Sequence, residues 1–265
     1  MKLNHYVKDQ WVEGTGETAA LHNPVTGDEI AQVNTGGVDL ASALSYGRET
    51  GGANLRRLSY EKRAEMLSAM SEVLKQNREN YYRIAMENSG NTKTDAAIDI
   101  EGGIGTLKYY SSLGKKLGNT SFLMESGIER LAKDEKFQAV HICVPVQGIA
   151  VHINAFNFPS WGLWEKVAVS LLSGVAVFAK PATATSMLAH EMVRDVIAAD
   201  ILPQGALSLL CGGGRELMEA LTVNDVVAFT GSADTAVRLR SHPNVVSSNI
   251  RFNTEADSLN CVIMG

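Results

Sequence analysis

From residue 148 onward, short apolar runs alternate with longer stretches of helical character. The runs 148–153, 175–179, 207–210, 226–229 and 249–252 are short and rich in apolar, β-favouring residues, with little polar alternation in the first four. Strands buried on both faces read this way. The gaps at 162–172, 186–199, 216–221 and 235–240 have helical length and composition. Helical crossovers between such strands imply a parallel sheet, so the pattern predicts an α/β, doubly wound, Rossmann-like domain.

Upstream the pattern differs. The first fifty residues are punctuated by Gly14, Gly16, Asn23-Pro24, Thr26-Gly27 and Gly36-Gly37, which predicts strands and turns leading to a helix near Leu40. Over 59–88, Leu67, Met70, Val73 and Leu74 recur at helical steps. This predicts a long amphipathic helical region, with Ser59 as N-cap and Gly90 as stop. A further helix is expected over 95–111, where Gly102, Gly103 and Gly105 point to a close helix approach. Extended pieces at 127–132 and 137–144, separated by charged residues, predict a two-stranded ribbon protruding over 127–144.

Composition narrows the function classes. The chain has 265 residues, 45% of them hydrophobic and 20% charged, which excludes wholesale disorder. A net charge of −5 disfavours a nucleic-acid or anionic-membrane partner. The apolar stretch 167–179, interrupted by Ser170, Ser173 and Gly174, is too short to span a bilayer. No signal-peptide pattern is visible, and Cys143, Cys211 and Cys261 form an odd, sparse set, so a cytoplasmic chain with reduced thiols is expected. The cysteines and the six scattered histidines lack metal-ligand spacing, and no metal site is expected.

In an open parallel sheet, ligands sit beyond the carboxyl ends of the strands. After the five runs stand Asn154-Ala155-Phe156-Asn157-Phe158-Pro159, Lys180-Pro181-Ala182-Thr183, Cys211-Gly212-Gly213-Gly214, Thr230-Gly231-Ser232 and Thr254-Glu255-Ala256-Asp257-Ser258. A carboxamide, an ammonium, glycine turns and a carboxylate thus share one edge. Backbone amides of Gly231 and Ser232 at a helix start suit pyrophosphate, and Lys180 adds positive charge. The G-x-G-x-x-G fingerprint is absent, so the residues by themselves reach a nucleotide-binding α/β domain.

The ordered set Asn154–Pro159, Lys180-Pro181-Ala182, Phe229-Thr230-Gly231-Ser232 and Glu255 resembles the aldehyde dehydrogenase superfamily across essentially the whole chain. Residues 99–107, 181–185 and 255–260 are similar to the N-terminal half of the bifunctional phenylacetate-degradation dehydrogenases, which carry a fused hydratase-like domain. The semialdehyde dehydrogenase of the aerobic benzoyl-CoA pathway is the alternative. The resemblance implies that the parent enzyme oxidises a CoA-linked semialdehyde to its acid, works as a homo-oligomer and uses NADP, with NAD possible. It makes Asn157 the oxyanion donor and Glu255 the general base, a role that burial would favour. It implies a cofactor-binding set of Phe156, Lys180, Ala182, Thr183, Gly214, Arg215, Gly231 and Ser232. Plainer alternatives stand beside these roles: a turn asparagine, a solvated lysine, an N-cap serine and a surface carboxylate.

Three departures qualify the resemblance. Many NAD-using relatives carry a glutamate where this chain has Thr183, and its loss removes a carboxylate that would repel a 2′-phosphate; Arg215 is a second candidate partner for that phosphate. Glu-Ala-Asp-Ser replaces the usual Glu-Leu-Gly-Gly, which puts backbone freedom near Glu255 in question. The family nucleophile is a cysteine a few dozen residues beyond the glutamate. Cys143, Cys211 and Cys261 all fall in or beside apolar runs and are expected to be buried, hence poor nucleophiles. The chain is therefore expected to be a dinucleotide-binding portion, residues 1–265, inactive by itself. A non-catalytic nucleotide-binding or assembly module is the rival reading.

Overall fold

The turn-rich arm pairs with itself and with the main sheet. β1 (Lys2–Leu3), β2 (His5–Val7), β3 (Gln10–Val12), β4 (Thr15–His22) and β5 (Glu29–Gly36) come first. β4 and β5 form an antiparallel hairpin flanked by β1, while the β2–β3 hairpin joins the large sheet. These relations come from a computed structural model that describes every residue except 126, 260 and 265.

Helices α1 (Leu40–Tyr46), α2 (Gly52–Arg56), α3 (Tyr60–Gln76), α4 (Arg78–Ser89) and α5 (Lys93–Leu117) follow, with one π-helical turn over Gly47–Gly51. Ser59 caps α3 by accepting from Lys62 N, as expected. Gly90 ends α4 at φ 69°, a left-handed stop. The single helical region expected over 59–88 is two helices, because Asn77 leaves helical geometry at φ −100°, ψ 6°. α5 overruns both of its expected ends.

The ribbon is present, with different pairing. β6 (Leu123–Met124), β7 (Glu129–Arg130), β8 (Gln138–Ala139) and β9 (Ile142–Cys143) form two nested antiparallel ladders. The continuous pairing expected over 127–132 and 137–144 is thus replaced by two short ladders, one of which draws in Leu123–Met124 from outside the expected range.

The main sheet is built from β10 (Ile149–Ile153), α6 (Trp161–Leu172), β11 (Ala176–Lys180), α7 (Ser186–Ala198), β12 (Leu207–Leu209), β13 (Val226–Gly231), α8 (Ala233–Arg240), α9 (Pro243–Ser247) and β14 (Arg251–Ala256). Its order is β14-β13-β10-β11-β12-β2-β3, parallel from β14 to β12. The doubly wound parallel sheet is thus as the apolar runs require, and Phe178, Val151, Leu209 and Trp164 fill the core on its faces. Two elements differ. The expected helix over 216–221 is a 3-10 turn at Arg215–Leu217, since Asn244 Nδ2 donates to the carbonyls of Met218 and Leu221. The last strand begins at Arg251 rather than 249, because Asn249 holds φ 49° and cannot extend the chain.

At the amino edge of the sheet, the Arg48 guanidinium grips Asp225, whose carboxylate also accepts from Ile149 N and Thr222 N. The strands are thereby tied down at the edge remote from their carboxyl ends.

Candidate functional site

The chain leaves β10 for β11 on one side and returns to β13 on the other. The order reverses between β10 and β13, which opens a crevice at their carboxyl ends. Asn154 stands directly beyond β10, and its N–H bonds the Lys180 carbonyl (3.0 Å). The residue is 5% exposed, yet neither side-chain amide atom has a protein partner among the described residues. An unsatisfied buried amide is costly, and this one stands at the crevice without lining either of the clefts described below.

Asn157 and Glu255, distant in sequence, line one cleft of about 150 Å³ with Thr230 and Lys166. The β13–β14 register sets Thr230 beside Glu255, and Thr230 Oγ1 donates to Glu255 Oε2 (3.1 Å). Lys166 Nζ donates to the Gly162 carbonyl and to Glu165, both at 3.2 Å. The cleft therefore offers a carboxamide donor, a carboxylate acceptor and a nearby ammonium. Glu255 lies within β14 and is exposed, not buried as the general-base reading expected, because among the described residues no element covers its face of this edge strand.

A larger cleft of about 570 Å³ opens beyond β11 and β12. Thr183, Gly214 and Arg215 line it, opposite Glu17 and Gly36 of the β4–β5 hairpin. Lys180 reaches the same place: a Cβ at Gly214 would press on its side chain at 3.2 Å. Burial holds the Lys180 pKa below the ordinary lysine value, with Cys211 opposing. Its Nζ bonds the Pro181 carbonyl at 3.3 Å, and it has no carboxylate partner among the described residues. Glu17 and Glu216 on the walls were not singled out from the sequence.

Phe156, Ala182, Gly231 and Ser232 line neither cleft and lie along the same carboxyl edge. Ser232 caps α8 by accepting from Thr235 N (3.3 Å). Asp257 Oδ1 accepts from Ala233 N (3.0 Å), so a carboxylate already sits at the helix start expected to meet pyrophosphate. Asp257 holds φ 61°, the left-handed geometry that glycine would adopt and that aspartate tolerates. The Glu-Ala-Asp-Ser segment thus keeps its turn.

None of the three cysteines lines the Asn157–Glu255 cleft. Cys211 is buried as expected, and its thiol is pushed up to about 12 by that burial. Cys143 is instead exposed on the ribbon, where its bond to Glu125 (3.3 Å) raises its pKa. Cys261 is exposed as well, in a stretch without regular structure, because among the described residues no strand pairs with it. Among the described residues, no group of three metal-ligating side chains is assembled, and no helix is long and apolar enough to cross a membrane.

Lys166 escaped the sequence reading. Its signal was available: Glu165-Lys166 is the only charged pair in the otherwise apolar α6.

The chain is 54% identical over all 265 residues to a 3,4-dehydroadipyl-CoA semialdehyde dehydrogenase of Aromatoleum evansii, of which it covers 52%. It is 26% identical over 243 residues to a D-glyceraldehyde dehydrogenase (NADP(+)) of Thermoplasma acidophilum, covering 90% of this chain and 47% of that one. The chain thus spans about half the length of these curated relatives. An NADP-dependent glyceraldehyde-3-phosphate dehydrogenase from Bacillus halodurans, solved with NADP, shares the fold at TM-score 0.81 and 20% identity, over 97% of this chain and 53% of that one. The aldehyde dehydrogenase family model matches residues 11–264, and the chain belongs to that family.

Proposed function

We propose that this chain is the dinucleotide-binding portion of an aldehyde dehydrogenase that oxidises a CoA-linked semialdehyde to its acid with NADP. The observation that carries the cofactor reading is Lys180: a desolvated ammonium without a carboxylate partner, packed on Gly214 and close to Thr183 and Arg215. A 2′-phosphate supplies the missing counter-charge, and Thr183 places no carboxylate against it. The unpartnered Asn154 amide and the turn at Gly214 fit a bound dinucleotide along this edge. When bound, the nicotinamide accepts the electrons removed from the aldehyde carbon. The chain's own residues do the rest. The Asn157 amide donates to the carbonyl oxygen as negative charge develops there. Glu255, hydrogen-bonded by Thr230, takes a proton from the attacking water. The substrate class is supported by the name of the relative at 54% identity; the phenylacetate and benzoyl-CoA readings share it. Turnover also needs a thiolate in the cleft, which none of the three cysteines provides, so the chain by itself oxidises no aldehyde.

The ribbon exposes Met124, Ile128, Leu131, Phe137 and Val144, and we assign it to contact between copies.

Calorimetric titration of the chain with NADP⁺ and NAD⁺ tests the cofactor reading. One charge-assisted hydrogen bond is worth about 1.5–3 kcal/mol, so NADP⁺ binds roughly ten- to a hundredfold more tightly. Thr183→Glu lowers that ratio. An unchanged ratio means that Thr183 does not face the ribose and removes the basis for NADP.

A further inference from the structure

The stretch that opens at Asp99 and includes Gly102 and Gly103 has no place in the chemistry described so far. Asp99 is 1% exposed on α5 and has no ion-pair partner among the described residues. Its oxygens accept from Trp161 N (2.7 Å) and Ser160 N (3.1 Å), the amides that open α6. Ser160 itself stands at the cap position in a helical conformation, φ −85° and ψ −58°, and makes no side-chain cap bond. Its hydroxyl is buried without a partner. The cap of α6 thus comes from another helix, 61 residues away.

The two glycines complete the seat. A Cβ at Gly102 would collide with the Trp161 ring, and one at Gly103 would lie 2.9 Å from Ser160 Oγ and 3.0 Å from Trp164 Cδ1. Residues 99, 102 and 103 share one helix face, so acid and glycines act on the same neighbour. A buried carboxylate is an expensive cap: desolvation pushes its pKa up to about 6, against the pull of the two N–H bonds. The serine already in place would cap α6 without that penalty. A local cap, however, fixes only the helix, whereas a remote one fixes the helix relative to α5.

Asn157 precedes this seat by three residues, and Lys166 follows it on α6. We infer that Asp99, with Gly102 and Gly103, is a positioning residue that locks the entrance of α6 onto α5 and so holds Asn157 in the cleft with Glu255 and Thr230. The inference rests on the reading of Asn157 as the donor to the reacting carbonyl. Of the charged groups on the packed elements, Glu101 pairs with Arg78 and Tyr82, Glu165 with Lys166, Lys93 with Glu79 and Lys62 with Glu65, while Lys108, Lys115 and Lys116 of α5 and Glu72 and Lys75 of α3 stand apart from Asp99 on their helices.

The test is an NMR pH titration of the ¹⁵N-labelled full chain from about pH 5 to about pH 8, the window in which the Asp99 charge changes. It follows the backbone amides of Ser160 and Trp161 and the side-chain amide of Asn157, assigned with Asn157→Ser. All three are expected to shift with a common midpoint near 6. In Asp99→Asn, which keeps an acceptor oxygen but cannot ionise, the shared titration disappears. An Asn157 side chain that stays fixed while Ser160 and Trp161 titrate makes Asp99 a helix cap only and overturns the inference. If Asp99→Asn does not fold, the wild-type titration decides by itself. Millimolar propionaldehyde separates the underlying reading. An Asn157 amide that titrates with Asp99 but ignores the aldehyde supports the positioning role and sinks the carbonyl-donor role.

Discussion

Asp225 concentrates more buried polar chemistry than any group in the clefts, and its removal gives a graded test of how the sheet is held. The carboxylate is fully buried and receives Arg48 Nε (2.9 Å), Arg48 Nη2 (2.7 Å), Ile149 N (2.9 Å), Thr222 N (2.6 Å) and Thr222 Oγ1 (3.1 Å). Asp225→Ala strands two backbone amides and leaves the guanidinium with the Ala220 carbonyl as its remaining acceptor. Breaking a buried pair in this way costs about 3–5 kcal/mol. For a chain of this size, each kcal/mol is worth about 2–4 °C, so Tm falls by roughly 10 °C. Arg48→Met is milder, about 2 kcal/mol, because Asp225 keeps its three other donors. The double variant costs little more than Asp225→Ala, since Arg48 has then already lost its partner. Urea unfolding followed by circular dichroism and by tryptophan fluorescence measures all three, and coincident curves license the free energies. Well below Tm, dinucleotide affinity is unchanged, because the pair lies at the amino edge. A larger loss from Arg48→Met than from Asp225→Ala refutes the reasoning.

Two further outcomes follow from the structure. His152 is buried, and its pKa is lowered to about 3 by desolvation, with Lys166 adding to the effect. The unfolded chain therefore binds this proton first, and stability is lost as pH falls from about 6.5 toward 3. At pH 5 the loss relative to pH 7 is about 2 kcal/mol, and it disappears in His152→Gln; Asp99 works in the opposite direction and is common to both chains. An equal pH dependence in the two chains contradicts the burial argument. The exposed apolar residues of the ribbon give concentration-dependent self-association in sedimentation, weakened by Phe137→Ser with Ile128→Ser. A clean monomer at high concentration rules this out.

Much of the fold was legible because the relevant signals are local. Runs such as Ala176–Lys180 cannot alternate when both faces are covered, and Ser59 and Gly90 act on amides and dihedrals within one turn. Gly102-Gly103 betrayed a close approach, though nothing in the sequence says that the neighbour is Trp161. The strand ends were readable as a candidate ligand edge, and Asn157 and Glu255 line one cleft there. What escaped depends on distant partners. The Asp225 acceptor and its guanidinium are 177 residues apart, and the Asp99 cap reaches across 61. Asn249 moved the last strand through one dihedral, which carried Glu255 from the turn into β14. The cysteine burial was misjudged at positions 143 and 261 because an apolar run predicts burial only where another element covers it.

Hydrogen exchange of the full chain with and without saturating NADP⁺ tests the central claim most directly, namely that the carboxyl edge of the sheet is the dinucleotide site. Protection is expected at 154–158, 180–185, 213–217 and 230–233, with the ribbon and the Arg48–Asp225 edge unchanged. Protection confined to other segments, or none at saturation, contradicts the account.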